Sequence, residues 1–224
     1  GISKFTETLK TKEGYSELFL PANKLINITA ERPVLFVVDT HIPHLTASPE
    51  LLERIKDVVV IDHHRRSSNF IKNARLTYSE PATSSTSELV TELLIYFSDD
   101  LTLPRVEATA LYAGILVDTK NFAVQTGVRT FDAAAYLRRC GADPVSVRQM
   151  FRSDFETEQA KAQAKAQARM MPGGLIITMC REPLPNIQVI AAQVADSMLR
   201  IEDVRVCMVV FQLTPDVIGI SARS

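Results

Sequence analysis

The sequence is poor in several features that would classify it at once. Its three cysteines, Cys140, Cys180 and Cys207, lie far apart. With no C-x-x-C spacing they support neither a disulfide scaffold nor a cysteine zinc site, and they read as reduced core thiols in a cytoplasmic setting. Charge of one sign is also lacking. Twenty-five Lys and Arg against 26 Asp and Glu leave a formal net charge of −1. There is no basic track for a long nucleic acid, so any nucleotide contact must come from a local site. No apolar run reaches the length of a membrane span and no signal peptide is visible, so this segment is expected to make no membrane contact. Histidine is scarce, with four residues at 41, 44, 63 and 64.

What remains is ordinary globular material, 46% hydrophobic and 23% charged, long enough for one large domain or two small ones. Its most informative stretch is Val58-Val59-Val60-Ile61-Asp62-His63-His64-Arg65-Arg66. Four β-branched apolar residues predict a strand buried on both faces. Five ionisable groups at its end predict a site there, because open parallel sheets form sites at the carboxyl ends of their strands. Val34–His41 and Ala113–Thr119 look built the same way, each an apolar run ending in an acid. Three such ends suggest converging metal ligands.

The pattern along the chain predicts an α/β protein. A short helix is expected near Ala22–Ile28, after a helix end or loop at Glu17–Pro21, then a strand over Pro33–Asp39. A helix over Pro49–Ile55 follows, with Ser48 as N-cap, and a strand over Val58–Asp62 completes a parallel βαβ unit. Leu76–Ser79 reads as an edge strand. The hydroxyl-rich Pro81–Ser87 precedes a helix at Glu88–Phe97. Its amides and hydroxyls would suit a phosphate, although plain helix capping explains the same residues. Helices are expected at Arg105–Leu116, at Phe131–Arg139 stopped by Gly141, and after Asp143-Pro144. Composition shifts near Ser153. Gln159–Arg169, with Lys-Ala-Gln-Ala twice over, reads as a solvated connecting helix. Strands at Leu175–Met179, Val204–Leu213 and Val217–Ala222, with a helix at Asn186–Leu199, predict a second, smaller domain.

Imidazole and carboxylate together suit Mn²⁺, Fe²⁺, Zn²⁺ or Mg²⁺. Two such ions about 3.5–4 Å apart can clamp a phosphoryl transfer and acidify a water, with His64 and Arg65 placed to neutralise phosphate charge. The adjacent His63 and His64 after Asp62 point to a site. Asp39 and Asp118, each alone, could be turn residues. His41 and His44 could join the site, but the rim or simple exposure is the expected place for both. Arg223 could bind phosphate or be a solvated surface residue.

Val-Val-Asp-Thr-His at 37–41, Ile-Asp-His-His-Arg at 61–65 and Val-Asp-Thr at 117–119 resemble motifs of the DHH phosphoesterase superfamily. Ser84–Val90, Asp118–Phe122 and Thr126–Asp132 narrow the resemblance to the cyclic-di-AMP phosphodiesterases. In full form these carry two membrane helices, a PAS-like domain and a degenerate GGDEF domain ahead of the DHH module. The resemblance implies a parallel-sheet DHH domain over 1–152, a connecting helix over 153–171, and the first part of a smaller α/β DHH-associated domain over 172–224. It implies that Asp39 bridges two Mn²⁺ ions and that His63 and Asp118 complete the second metal. His64 would contact the substrate phosphate, and Asp62 would support the ligands. Arg65, Ser84, Ser85, Asn121, Ser221 and Arg223 are the implied substrate contacts. The implied reaction is hydrolysis of cyclic-di-AMP to linear pApA, by a cytoplasmic segment of a membrane-anchored parent that could form a homodimer.

The family's earlier strand carries a His and an Asp-x-Asp, and its C-terminus a glycine-rich loop ending in His. Neither motif occurs here. The expectation is therefore a chain incomplete at both ends, holding one partial metal site and having little or no activity alone. Two other readings stay open: a nanoRNase or 3′-phosphonucleotide phosphatase of the same superfamily, and a nucleotide-binding fragment without turnover.

Overall fold

The computed structural model describes residues 6–7, 9–11, 14–25, 31–98, 101–181 and 184–224. It divides into two compact units, Gly1–Phe151 and Arg152–Ser224. In the first unit the expected early helix is seen as α1 (Ala22–Leu25), and the rest of that predicted range lies outside the described residues. The sheet follows. β1 (Val34–Val38), β2 (Asp57–Asp62) and β3 (Leu76–Ser79) are parallel in the order β1-β2-β3, with α2 (Pro49–Arg54) between the first two. Ser48 occupies the N-cap of α2, but its side chain makes no capping bond.

Register matters more here than length. Val38 pairs with Ile61, and Asp62 with Ser79, so the carboxyl ends of the three strands finish level. Val37, Val58 and Val60 are buried on one face, with Leu35, Leu52, Ile71 and Ala74 packed on them. Burial on both faces holds for β2 toward its carboxyl end, where Val60 and Ile61 are buried and Val59 is half-buried, and fails for β1. Val34, Phe36 and Val38 point the other way and are exposed, Phe36 by 62%. The reason is position: β2 lies between two strands, whereas β1 is at the edge of the described sheet.

Four helices complete the unit: α3 (Thr86–Phe97), α4 (Arg105–Asp118), α5 (Val128–Arg139) and α6 (Pro144–Met150). They share a core that includes Ala108, Ile115, Ala133, Leu137 and Val147. Several run further than the sequence pattern predicts. α4 continues to Asp118, so that acid ends a helix and not a strand. α5 begins at Val128 because Thr130 Oγ1 accepts the Gly127 N–H at 3.0 Å and caps the first turn. Gly141, at φ 91°, supplies the left-handed stop. Gly114 faces Ser87 on α3, and a Cβ there would lie 2.1 Å from Ser87 Oγ, so only glycine lets α3 and α4 come this close.

In the second unit, α7 (Phe155–Ala166) is capped by Asp154, whose carboxylate accepts from Thr157 N at 2.8 Å. The expected solvated connector is instead part of this unit. Ala160 and Ala164, four residues apart and buried, form a flat face, and Thr178 Oγ1 donates to the Ala164 carbonyl. Alanines give too little hydrophobic contrast for sequence patterning to reveal that face. β4 (Arg169–Met171), β5 (Leu175–Cys180), β6 (Val206–Thr214) and β7 (Val217–Arg223) form a sheet in chain order. β5 and β6 are parallel across α8 (Ile187–Met198), and the other pairs are antiparallel. Ile176, Ile190, Ala191, Val194, Val209 and Phe211 are the core, each buried branched or aromatic side chain contributing about 1.5–3 kcal/mol. The cysteines are free thiols, with Cys180 and Cys207 buried and Cys140 half-buried. Burial pushes the Cys180 and Cys207 thiols up. Among the described residues no helix is long and apolar enough to cross a membrane.

Candidate metal centre

The level strand ends put two acids, Asp39 and Asp62, and three imidazoles at one edge of the first sheet, and the end of α4 adds Asp118. Asp39 follows β1 and turns left-handed at φ 65°, a conformation that Asp tolerates better than most residues. Its N–H still extends the ladder, donating to Ile61 O at 3.0 Å, while its carboxylate stands in the open. His63 follows β2. Its Nε2 lies 3.7 Å from Asp39 Oδ1 and 3.9 Å from Asp118 Oδ2. Those separations are too long for hydrogen bonds. They match the about 3–4 Å between ligand atoms that each stand about 2.1 Å from one ion.

Asp118 is held by the way α4 ends. The buried Thr119 hydroxyl donates to Ile115 O and accepts from Phe122 N. Asn121 N donates back to Leu116 O at 2.8 Å. Lys120, Asn121 and Phe122 are all left-handed, a costly run for residues with side chains that persists only where the surroundings enforce it. Beyond this loop, Arg129 on α5 makes a two-pronged pair with Glu92 on α3, at 2.7 and 2.6 Å, which fixes where the loop rejoins the helices. Burial holds the Asp118 carboxyl above its usual range, and the neighbouring Asp39 charge adds to this, against an opposing effect of His63 and His64. Two mutually repelling carboxylates beside an imidazole suit a divalent cation.

The buried Asp62 organises the other imidazoles. One oxygen accepts from His64 Nδ1 at 2.7 Å and from the His64 backbone N–H at 3.2 Å; the other contacts His41 Nδ1 at 2.5 Å. Burial works to raise the Asp62 pKa, but the bonds from His64 and His41 outweigh it and hold the carboxyl below its ordinary range. The Asp62 bond is the largest influence on His64 and raises its pKa. His41 is not on the rim as the sequence suggested. It is buried, 7% exposed, because Thr40 Oγ1 accepts the Ile42 N–H and curls the chain inward after the Asp39 turn. The Ser67 N–H donates to His41 Nε2 at 3.0 Å, which leaves Nδ1 as the protonated nitrogen. His44 is exposed, as expected, with its Nδ1 3.3 Å from Asn69 Nδ2.

Asp39, His63 and His64 each offer a ligand atom, and the three atoms lie within 4.8 Å of one another. The geometry thus admits two readings of His64. It could complete the ligand set, or, with Nδ1 engaged by Asp62, direct Nε2 at a bound anion. Asp118 Oδ2, 3.9 Å from His63 Nε2, is a further oxygen at this edge, and a carboxylate brings negative charge that suits a divalent cation. Arg65 is exposed just past the pair. Ser84 and Ser85 are buried and serve the start of α3: Ser85 Oγ accepts from Glu88 N at 3.1 Å, and Glu88 Oε2 accepts from Ser84 N and its hydroxyl. In this arrangement both hydroxyls are engaged at the start of α3, Ser85 as its N-cap and Ser84 on the Glu88 carboxylate. Asn121 is exposed in the loop after Asp118. Ser221 and Arg223 lie on β7 in the second unit, where Arg223 Nε is 3.4 Å from Asp196 Oδ1. His41 and Glu88 were the residues that sequence reasoning undervalued. The Asp-Thr-His spacing at a strand end and the Ser-x-x-Glu box were the signals.

Acids and an imidazole gathered at the carboxyl ends of a parallel sheet define an α/β protein with a metal-type site. The model of the DHH family, N-terminal domain, matches residues 4–115, half of the chain, and the chain belongs to that family. It is 47% identical over 205 residues to the cyclic-di-AMP phosphodiesterase PdeA of Listeria monocytogenes, covering 91% of this chain and 31% of that protein. It is 41% and 40% identical to the cyclic-di-AMP phosphodiesterases GdpP of Geobacillus thermodenitrificans and Bacillus subtilis, over all of this chain and 34% of each. The chain thus spans about a third of the length of these curated relatives. In fold it is similar to an exopolyphosphatase-related protein from Bacteroides fragilis, with TM-score 0.77 and 21% identity over 94% of this chain and 62% of that one.

Proposed function

We propose that this chain carries the second-metal half of a manganese-dependent phosphodiesterase site that hydrolyses cyclic-di-AMP to linear pApA. The observation that carries the reading is the placement of His63 Nε2 between Asp39 at 3.7 Å and Asp118 at 3.9 Å. The substrate follows from the 40–47% identity to cyclic-di-AMP phosphodiesterases.

Asp39, His63 and Asp118 would hold one Mn²⁺, and by the family resemblance Asp39 would also serve a second. When bound, the metal supplies positive charge at the scissile phosphate and acidifies water there. The remaining work falls to this chain. Asp62 fixes His64, whose raised pKa favours a cationic donor toward a phosphate oxygen. Arg65 adds a second cation at the mouth. Asn121, Ser221 and Arg223 would contact the nucleotide, while Ser84 and Ser85 act through the capped start of α3. The unit Gly1–Phe151 would correspond to the DHH domain and the unit Arg152–Ser224, α7 included, to DHH-associated sequence. The parent protein would be membrane-anchored with this segment in the cytoplasm.

The test is cyclic-di-AMP cleavage by the full-length protein that carries this segment. Formation of pApA should require Mn²⁺ and disappear in the Asp39→Asn variant. The isolated chain should bind at most one Mn²⁺, weakly, and turn over little or nothing. Robust manganese-dependent turnover by the isolated chain would refute the half-site assignment. Faster cleavage of short linear oligonucleotides would replace cyclic-di-AMP as the substrate.

A further inference from the structure

We infer that His41 is a positioning residue for His64, acting through Asp62. The inference rests on the proposed role of His64 as the phosphate contact, and it adds a residue to that machinery. A rim histidine would point its ring at solvent. His41 is buried, and both its ring nitrogens are engaged: Nε2 accepts the Ser67 N–H at 3.0 Å, and Nδ1 faces Asp62 Oδ2 at 2.5 Å. A backbone amide can only donate, so Nε2 must be the acceptor and Nδ1 the N–H. His41 therefore presents a donor of fixed direction to one carboxylate oxygen. The other oxygen is left to receive His64 Nδ1 at 2.7 Å and its backbone N–H at 3.2 Å.

A buried carboxylate held on one side only could rotate about its Cβ–Cγ bond. With donors on both oxygens its plane is set, and the plane sets the direction in which the His64 ring leaves the strand end. His64 itself is more than half exposed, so few packing contacts hold its ring, and the Asp62 bonds do most of the orienting. The His63 ring stands 4.5 Å from it, tilted by 56°, and does not confine it by stacking. Orientation by a second residue of this kind is typically worth 10- to 100-fold in the function of the residue it orients.

The experiment uses this chain and two readouts. The first is the hydrogen-bonded Nδ1–H proton of His64, observed by NMR in the metal-free protein. It should be present in the wild type, kept in His41→Asn, whose amide can donate from nearly the same place, and lost to exchange in His41→Phe. A His64 Nδ1–H signal unchanged in His41→Phe overturns the proposal, whatever the protein's substrate proves to be. The second readout is calorimetric binding of inorganic phosphate in the presence of Mn²⁺. His41→Phe should weaken phosphate roughly tenfold with the Mn²⁺ stoichiometry unchanged, and His41→Asn should restore most of it. In a His64→Asn background the same His41→Phe change should have no further effect. An equal loss in both backgrounds, or loss of the metal in His41→Phe, means that His41 does not work through His64. Wild-type protein that binds no phosphate at Mn²⁺ concentrations that saturate its weak site sinks the functional reading, and the NMR result then still decides the positioning claim.

Discussion

His63 Nε2 lies 3.7 Å from Asp39 Oδ1, across the tips of two parallel strands. The register Val38↔Ile61 makes this contact, and a one-residue slip would turn His63 to the opposite face. With Asp118 at 3.9 Å from the same nitrogen, His63 Nε2 is the atom on which the two carboxylates converge.

His63→Ala removes the imidazole at the centre of the proposed metal site. In the full-length protein, bound Mn²⁺ measured after desalting should fall by at least about tenfold and turnover should collapse with it. Arg223→Ala, by contrast, should raise KM with the metal retained. Metal surviving the first change, or vanishing in the second, contradicts the assigned roles.

Metal affinity should depend on acidity in a stated direction. Burial and the Asp39 charge hold the Asp118 pKa above its usual 3.8, so a proton competes there with the cation at higher pH than for an ordinary carboxylate. Mn²⁺ affinity, read by calorimetry, should rise with pH through that raised value, and Asp118→Asn should flatten this part of the profile. Phosphate affinity should run oppositely. The raised His64 pKa means its charge is lost only above the ordinary 6.5, so phosphate should weaken as pH climbs past that point.

Asp62→Ala should destabilise the metal-free protein by about 3 kcal/mol in chemical denaturation, because it leaves the buried His41 donor without a partner. The wild-type pair has a pH window. Asp62 has a native pKa below 3.8, so its contribution is present above that value and fades as pH falls through the native pKa. His64 is raised above 6.5, so its share is complete below 6.5 and fades as pH rises through the native value. Stability from the pair should therefore peak between the two, and Asp62→Ala should erase the peak.

Gly114→Ala places a methyl 2.1 Å from Ser87 Oγ and 2.9 Å from Ser87 Cβ. The helices must part or Ser87 must move, at a cost of about 1–3 kcal/mol. The double variant Gly114→Ala, Ser87→Gly should recover much of the loss. Equal stability of Gly114→Ala and wild type would mean that α3 and α4 do not pack this closely.

Much of this molecule was legible in residue order alone. The Val58–Ile61 run, the acid at its end and the Asp143-Pro144 helix start depend on neighbours within a few residues, so local patterning predicts them. α7 was harder. Its buried face consists of two alanines, whose burial depends on what packs against them and not on their own hydrophobicity.

The histidines mark the boundary most clearly. From sequence, His63 and His64 were expected to lie at a strand end, because strand, acid and imidazole are contiguous there. That His41 lies inside and His44 outside was decided by tertiary structure. Whether an imidazole is buried depends on whether a donor and an acceptor from elsewhere in the chain satisfy both its nitrogens. For His41 those partners are the Ser67 amide and Asp62, both distant in sequence and brought to it only when β1 and β2 align.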